Sequence, residues 1–233
     1  MLLKMAVYLI GKSDRICGII SLISIFRNGG YHMKLFLTSY IAGTEKQLKD
    51  FLKDYDSRIL FIPTAGNVEE YTGYIDEGIK TLENLGFMVD ILDIAQENKK
   101  ECDLAIASCN CLCISGGNTF YLLQELKKKK LIELIKQRLA EGMLYIGESA
   151  GAIITSENIE YNSIMDNPNI ATELKDYTGL NLWNKFLLPH NNEFPFIEST
   201  TETIHTYAEK LDLLPIDNQT AVIIENEQFS VIR

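Results

Sequence analysis

Gly147, Glu148, Ser149, Ala150 and Gly151 set a serine among small residues, directly after the apolar run Met143 to Ile146. The residues that follow, Ala152-Ile153-Ile154-Thr155, can open a helix. Strand, G-x-S-x-G and helix together describe a nucleophile elbow, a tight turn that lifts the serine hydroxyl above the edge of a sheet. The Ala150 N–H, at the start of that helix, is placed to face a developing oxyanion. Small residues also cluster in any ordinary strand-to-helix turn, so the chemistry needs partners elsewhere in the chain.

Two further features supply them. Ser115-Gly116-Gly117-Asn118-Thr119-Phe120 follows another apolar run and opens another helical pattern. Its glycines let backbone N–H groups come close to a ligand, and Asn118 or Thr119 can cap the helix. The loop lacks the Lys-Ser/Thr of a P-loop and the third glycine of a dinucleotide fingerprint, and no cofactor is expected. Beside an elbow, Gly116 or Gly117 can give a second oxyanion donor, with Asn118 in the same substrate-facing loop. The chain has three histidines. His32 falls in an atypical leader and His205 in a helical stretch, Glu198 to Lys210. His190 follows the short apolar run Leu187-Leu188-Pro189 and enters a polar loop, a suitable place for a general base.

The surrounding pattern is that of an α/β sheet. Lys34–Thr38, Ile59–Ile62, Met88–Leu92, Cys111–Ile114 and Met143–Ile146 read as strands. Most are continuous apolar runs, as parallel strands covered on both faces require. Helical patterns lie between them at Thr44–Tyr55, Val68–Leu85, Thr119–Lys128 and Leu131–Glu141. The alternation predicts a doubly wound, mostly parallel sheet in a three-layer α/β/α sandwich. Ala221–Glu225 and Phe229–Ile232 predict a terminal hairpin.

Composition narrows the function classes. The chain has 233 residues, 46% hydrophobic and 23% charged, with a formal net charge of −10. An acidic surface repels nucleic acid and anionic membrane, so neither is an expected partner. The run Lys127 to Lys130 reads as a solvated helix end, where cations suit the helix dipole. Five cysteines, three of them at Cys109, Cys111 and Cys113, do not form a secreted disulfide framework, and a reducing cytoplasm is expected. Their alternation puts these three on one strand face, read as buried hydrophobes with no metal site, since no histidine lies near. Neither apolar stretch in residues 1–32 reaches the length of a membrane span. Gly29-Gly30-Tyr31-His32-Met33 is what a ribosome-binding site followed by a start codon would encode. Residues 1–32 are therefore expected to be an extension outside the native coding sequence, and 33–233 one catalytic domain.

The paired motifs Gly116-Gly117-Asn118-Thr119-Phe120 and Gly147-Glu148-Ser149-Ala150-Gly151-Ala152, with Pro189-His190 beyond them, resemble the serine peptidase family of peptidase E and cyanophycinase. The resemblance runs from about Met33 to Arg233. It implies the fold of class I glutamine amidotransferase domains, with serine in place of their cysteine. It also implies that Ser149 attacks the peptide carbonyl, that His190 takes its proton, and that an acyl-enzyme forms. The family's acid lies in the loop before the terminal hairpin, which puts it on Asp217 or leaves Asn218 in its place. Asp217 ranks first, and Asp166 is a further acidic candidate.

The resemblance thus points to a hydrolase of dipeptides or short peptides, acting as a monomer or homodimer. The namesake's preference for an N-terminal aspartate needs basic groups, yet Asn191 to Glu209 contains no lysine or arginine. Another acyl hydrolase, or a non-catalytic domain that binds a small metabolite, is the alternative.

Overall fold

The computed structural model describes residues 33–55, 58–226 and 228–233, so the expected extension, 1–32, lies outside the described residues. Among the described residues there are nine strands: β1 (Lys34–Thr38), β2 (Arg58–Ile62), β3 (Met88–Ile91), β4 (Cys111–Ile114), β5 (Leu144–Glu148), β6 (Phe186–Leu188), β7 (Leu213–Pro215), β8 (Ala221–Glu225) and β9 (Gln228–Ile232). Seven form one sheet in the order β3-β2-β4-β5-β1-β8-β9, and β6 and β7 form a separate pair. The first five of the large sheet run parallel, and β8 and β9 close it as an antiparallel hairpin. Strand β5 lies between β4 and β1 and runs parallel to both, so the carboxyl ends of these three neighbours face the same side.

Alternation along the strands builds two cores, one under each face. Leu35, Leu37, Leu112, Ile114 and Tyr145 face one layer, formed by α3 (Lys99–Ser108), α4 (Thr119–Lys128), α5 (Ile132–Ala140) and α6 (Ala150–Ile153). Phe36, Ile59, Phe61, Cys111, Cys113 and Ile146 face the other, with Leu48 and Leu52 at α1 (Glu45–Phe51) and Leu82 from α2 (Gly73–Asn84). This is the three-layer α/β/α sandwich that the sequence pattern predicts. A further helix, α7 (Ile197–Tyr207), follows β6.

The local departures have tertiary causes. The helix expected from Val68 begins only at Gly73, because Thr64–Val68 turns as a 3-10 helix over the glycine loop. There Ala65 O accepts the Asn118 N–H at 2.9 Å. The pattern from Thr44 to Tyr55 shortens to α1, which follows directly on a 3-10 turn at Ala42–Thr44. Helix α3 is not announced by apolar spacing, since only Cys102 and Ile106 are buried, but Asn98 caps it by accepting from Glu101 N. Cys109 does not share a face with Cys111 and Cys113. It precedes the strand as the C-cap of α3 and packs into the opposite core, its Sγ 3.4 Å from Met143 Sδ. Burial pushes the Cys111 and Cys113 thiols well above their ordinary range. Among the described residues, no group of three or more His, Cys, Asp or Glu side chains is set to hold a metal ion, and no helix is long and apolar enough to cross a membrane. Lys127 and Lys128, in the last turn of α4, pair with Asp176 and Glu173.

The crossing of α6 over the sheet depends on close backbone approach. A Cβ on Gly151 would stand 2.1 Å from the Ile114 carbonyl oxygen, which has no freedom to retreat from within β4. Gly151→Ala is therefore expected to destabilise the fold by about 1–3 kcal/mol, read as a lower denaturant midpoint with unchanged slope.

Candidate active site

Ser149 follows β5 directly, with φ 46° and ψ −105°. An L-residue held in such a region stores about 1–3 kcal/mol, so the surroundings must fix it. Its N–H donates to Thr38 O on β1 at 2.9 Å, and its carbonyl accepts from Ala152 N and Ile153 N, each at 2.9 Å. The half-buried side chain is thereby aimed into the crevice, with Oγ 2.9 Å from His190 Nε2.

His190 and its neighbour on the far side are brought together by the small second sheet. Strands β6 and β7 run parallel, Leu188 opposite Pro215, and the chain leaves both strands at the same end. Ile216 N donates to Leu188 O and Asn191 N to Ile216 O, both at 2.9 Å. Ser39, just beyond β1, ties the pair to the main sheet: its Oγ accepts from His190 N at 3.0 Å and donates to Ile216 O at 3.2 Å. The imidazole stacks on Phe196, ring centroids 4.5 Å apart. On its other edge, Nδ1 lies 2.8 Å from Asn218 Oδ1. With the amide oxygen toward the ring, Nδ1–H donates to Asn218, and Nε2 carries the lone pair that accepts from Ser149 Oγ–H. The Asn218 loop sits against Gly43, where a Cβ would come within 2.0 Å of Asn218 O.

Asp217, ranked first in the sequence, is therefore not the residue against the imidazole. Its carboxylate turns away to accept from Gln219 N at 3.0 Å and Thr220 Oγ1 at 2.6 Å, and it pairs with Arg233 at 3.1 Å. These contacts fix the turn that presents the next residue, Asn218, to the ring. Asp166 also stays apart from His190: it accepts from Thr119 N at 2.7 Å and Asn162 Nδ2 at 2.8 Å. It nevertheless lines the same cavity as Ser149, a space of about 750 Å³. Burial foremost raises its carboxyl to about 6.

The glycine loop abuts the serine, since a Cβ on Gly116 would lie 3.3 Å from Ser149 Cβ. Its two N–H groups differ. Gly116 N–H points to Glu148 Oε2 at 3.4 Å, whereas the N–H groups of Gly117 and Ala150 meet no acceptor among the described residues. Asn118 serves the loop itself: its Oδ1 caps α4 by accepting from Tyr121 N, and its Nδ2 reaches Asn167 O at 3.3 Å.

Glu148 is a residue that sequence reasoning passed over. Its buried carboxylate accepts from Ile41 N at 2.8 Å and from Ser115 Oγ at 3.1 Å, so it joins the loops after β1 and β4 at the elbow. Burial, only partly offset by those donors, pushes the carboxyl up to about 7. The signal was an acidic residue in a motif that is otherwise small. Ser39 was missed too, although a hydroxyl at the carboxyl end of a parallel strand is a recognisable site position.

The model of peptidase family S51 matches residues 28–232. A protein named as an uncharacterized peptidase of Listeria monocytogenes is 43% identical over 195 residues, covering 83% of this chain and 95% of the relative. A similarly named peptidase of Pasteurella multocida is 40% identical over 195 residues, 83% of this chain and 94% of its own. A peptidase E of the same organism is 34% identical over 155 residues, 66% of this chain and 62% of that one. A crystal structure from Listeria monocytogenes, named as a peptidase E protein, superposes with a TM-score of 0.82 at 40% identity, covering 86% of this chain and 98% of its own.

The burial of His190 lowers its pKa from 6.5, while the hydrogen bond to Asn218 and then the charge of Glu193 push it back up. An NMR titration of the imidazole is expected to give a value below 6.5. A carboxylate beside Nδ1 favours the charged ring, so Asn218→Asp should raise that value by about one to three pH units. Asn218→Ala, which removes the acceptor, should lower it. A rise in the alanine variant would contradict the assigned hydrogen bond.

Proposed function

The chain belongs to peptidase family S51, and from that premise we propose that it hydrolyses dipeptides or short peptides through Ser149, His190 and Asn218. The observation that carries the reading is the continuous chain Ser149 Oγ, His190 Nε2, His190 Nδ1, Asn218 Oδ1, with links of 2.9 and 2.8 Å. Substrate enters the cavity, whose size suits a small ligand. Ser149 Oγ attacks the peptide carbonyl as its proton passes to His190 Nε2. The resulting oxyanion is held by the N–H groups of Ala150 and Gly117, the donors left without acceptors at the serine. The imidazolium then protonates the leaving amine, the C–N bond breaks and an acyl-enzyme remains. Water, deprotonated by the same imidazole, releases the acid product and restores the serine.

Asn218 keeps Nδ1 protonated and the ring oriented, but it supplies no negative charge to stabilise the imidazolium. The base therefore stays weak, and the oxyanion donors carry correspondingly more of the rate enhancement. Five cysteines, three of them close together at Cys109, Cys111 and Cys113, fit a reducing cytoplasm better than a secreted disulfide framework.

A fluorophosphonate probe is expected to label the wild type on Ser149 and to leave Ser149→Ala unlabelled. In a dipeptide-library assay the same substitution should cut kcat by about 10⁴-fold or more. Labelling at another residue, or none in folded wild type, would favour a binding module over a hydrolase. Because the base must be neutral, kcat/KM should fall on acidification with a midpoint below 6.5. A midpoint well above that value would show that His190 is not the titrating base.

A further inference from the structure

The cavity beside Ser149 has a second chemical character that the hydrolytic residues do not use. Among the described residues its charged lining consists of Glu69, Glu70, Glu77, Glu148 and Asp166, with neither lysine nor arginine. Acidic clusters alone are common on protein surfaces, but two orphaned polar atoms mark this one as a receptor. Asn162 is fully buried, and its Nδ2 donates to both Thr119 Oγ1 at 3.0 Å and Asp166 Oδ2 at 2.8 Å. Those two acceptors fix the amide orientation and leave Asn162 Oδ1 buried with no donor. The Tyr74 hydroxyl is likewise buried and unpartnered, and Tyr74 and Asn162 both line the cavity.

Buried polar groups without partners are rare in folded proteins, and two of them lining one cavity are places where a bound group can complete the hydrogen bonding. Burial foremost raises the Tyr74 hydroxyl, and the charges of Glu69, Glu148 and Asp166 add to it; burial likewise leads in raising Asp166, with the charge of Glu69 adding. The group that would answer this set carries several N–H donors and a positive charge, which an ammonium or guanidinium offers. A substrate carboxylate side chain would meet like charges and no cation.

We propose that Asp166, Asn162, Tyr74 and Glu69 form a subsite for a positively charged nitrogen of the bound peptide. Two sources share this chemistry, a free amino terminus and a lysine or arginine side chain. The cation neutralises Asp166, gives Asn162 Oδ1 its missing donor, and anchors the peptide in the cavity that Ser149 faces. The inference rests on the peptidase reading in that the ligand is taken to be substrate, but binding can be measured without turnover.

The test is calorimetric titration of Ser149→Ala with alanyl-alanine, acetyl-alanyl-alanine and acetyl-lysyl-alanine. If the amino terminus is the source, acetylation should weaken binding about tenfold or more, and the lysyl side chain should not restore it. If a side chain is the source, acetyl-lysyl-alanine should bind about tenfold or more tightly than acetyl-alanyl-alanine. In either case adding Asp166→Asn, whose Oδ1 can still accept from Thr119 and Asn162, should bring the ratio of cationic to neutral ligand close to one. Should that variant fail to fold, Glu69→Gln is expected to shrink the same ratio by a smaller factor. Equal binding of cationic and neutral ligands, no binding at millimolar concentration, or an unchanged ratio in the folded variants would overturn the subsite. Labelling of wild-type Ser149 by the fluorophosphonate probe reports separately, so the two readings can fail independently.

Discussion

The backbone of Ser149 is the constraint on which the site depends. At φ 46° it occupies a conformation that a free chain avoids, and it stays there because three elements hold it at once. Strand β1 takes its N–H through Thr38 O, α6 returns two N–H groups to its carbonyl, and β4 leaves space for α6 only because residue 151 is glycine. The neighbouring Glu148 reinforces this by gathering donors from the loops after β1 and β4. A buried carboxylate is costly to desolvate, and three converging donors are the reason it can be kept there. The serine is thus positioned by the edge of the sheet, with no dependence on its own rotamer alone.

The His190 imidazole reaches the serine by a different construction. A three-residue parallel pair is a minimal sheet, yet it delivers His190 and Asn218 from segments 28 residues apart to the two edges of one ring. Parallel pairing matters here because both strands end on the same side. Ser39 then couples this pair to the main sheet by bonding to both His190 N and Ile216 O. The pairing of an amide with the imidazole fixes the tautomer while leaving the developing cation without a counter-charge. An imidazole held in this way leaves more of the work to preorganised N–H donors, and among the described residues the N–H groups of Gly117 and Ala150 meet no acceptor.

Much of the architecture was legible because it follows from periodicity. Continuous apolar runs announced β1, β4 and β8 with their observed limits, and α4 was bounded correctly by a capping residue and a lysine run. Helix α3 was not legible, since only two of its side chains enter the core, and β6 and β7 were too short for any period to emerge. The elbow, the glycine loop and His190 stood out by residue type and setting. The partner of the imidazole did not, because Asp217 and Asn218 are adjacent in a turn and point in opposite directions. Which one faces the ring is decided by Thr220 and Arg233, which draw the carboxylate away.

The sequence by itself determined the alternation of strands and helices, the serine in its tight turn and the acidic balance of the chain. These are local or additive properties, and each is written in consecutive residues. Only the tertiary structure decided that an amide stands behind the imidazole, that among the described residues the Gly117 N–H meets no acceptor while that of Gly116 does, and that five carboxylates meet in one cavity. Each of these depends on the direction of a side chain or N–H group brought from a distant segment. Such directions are set by packing and hydrogen bonding across the fold, and no spacing along the chain records them.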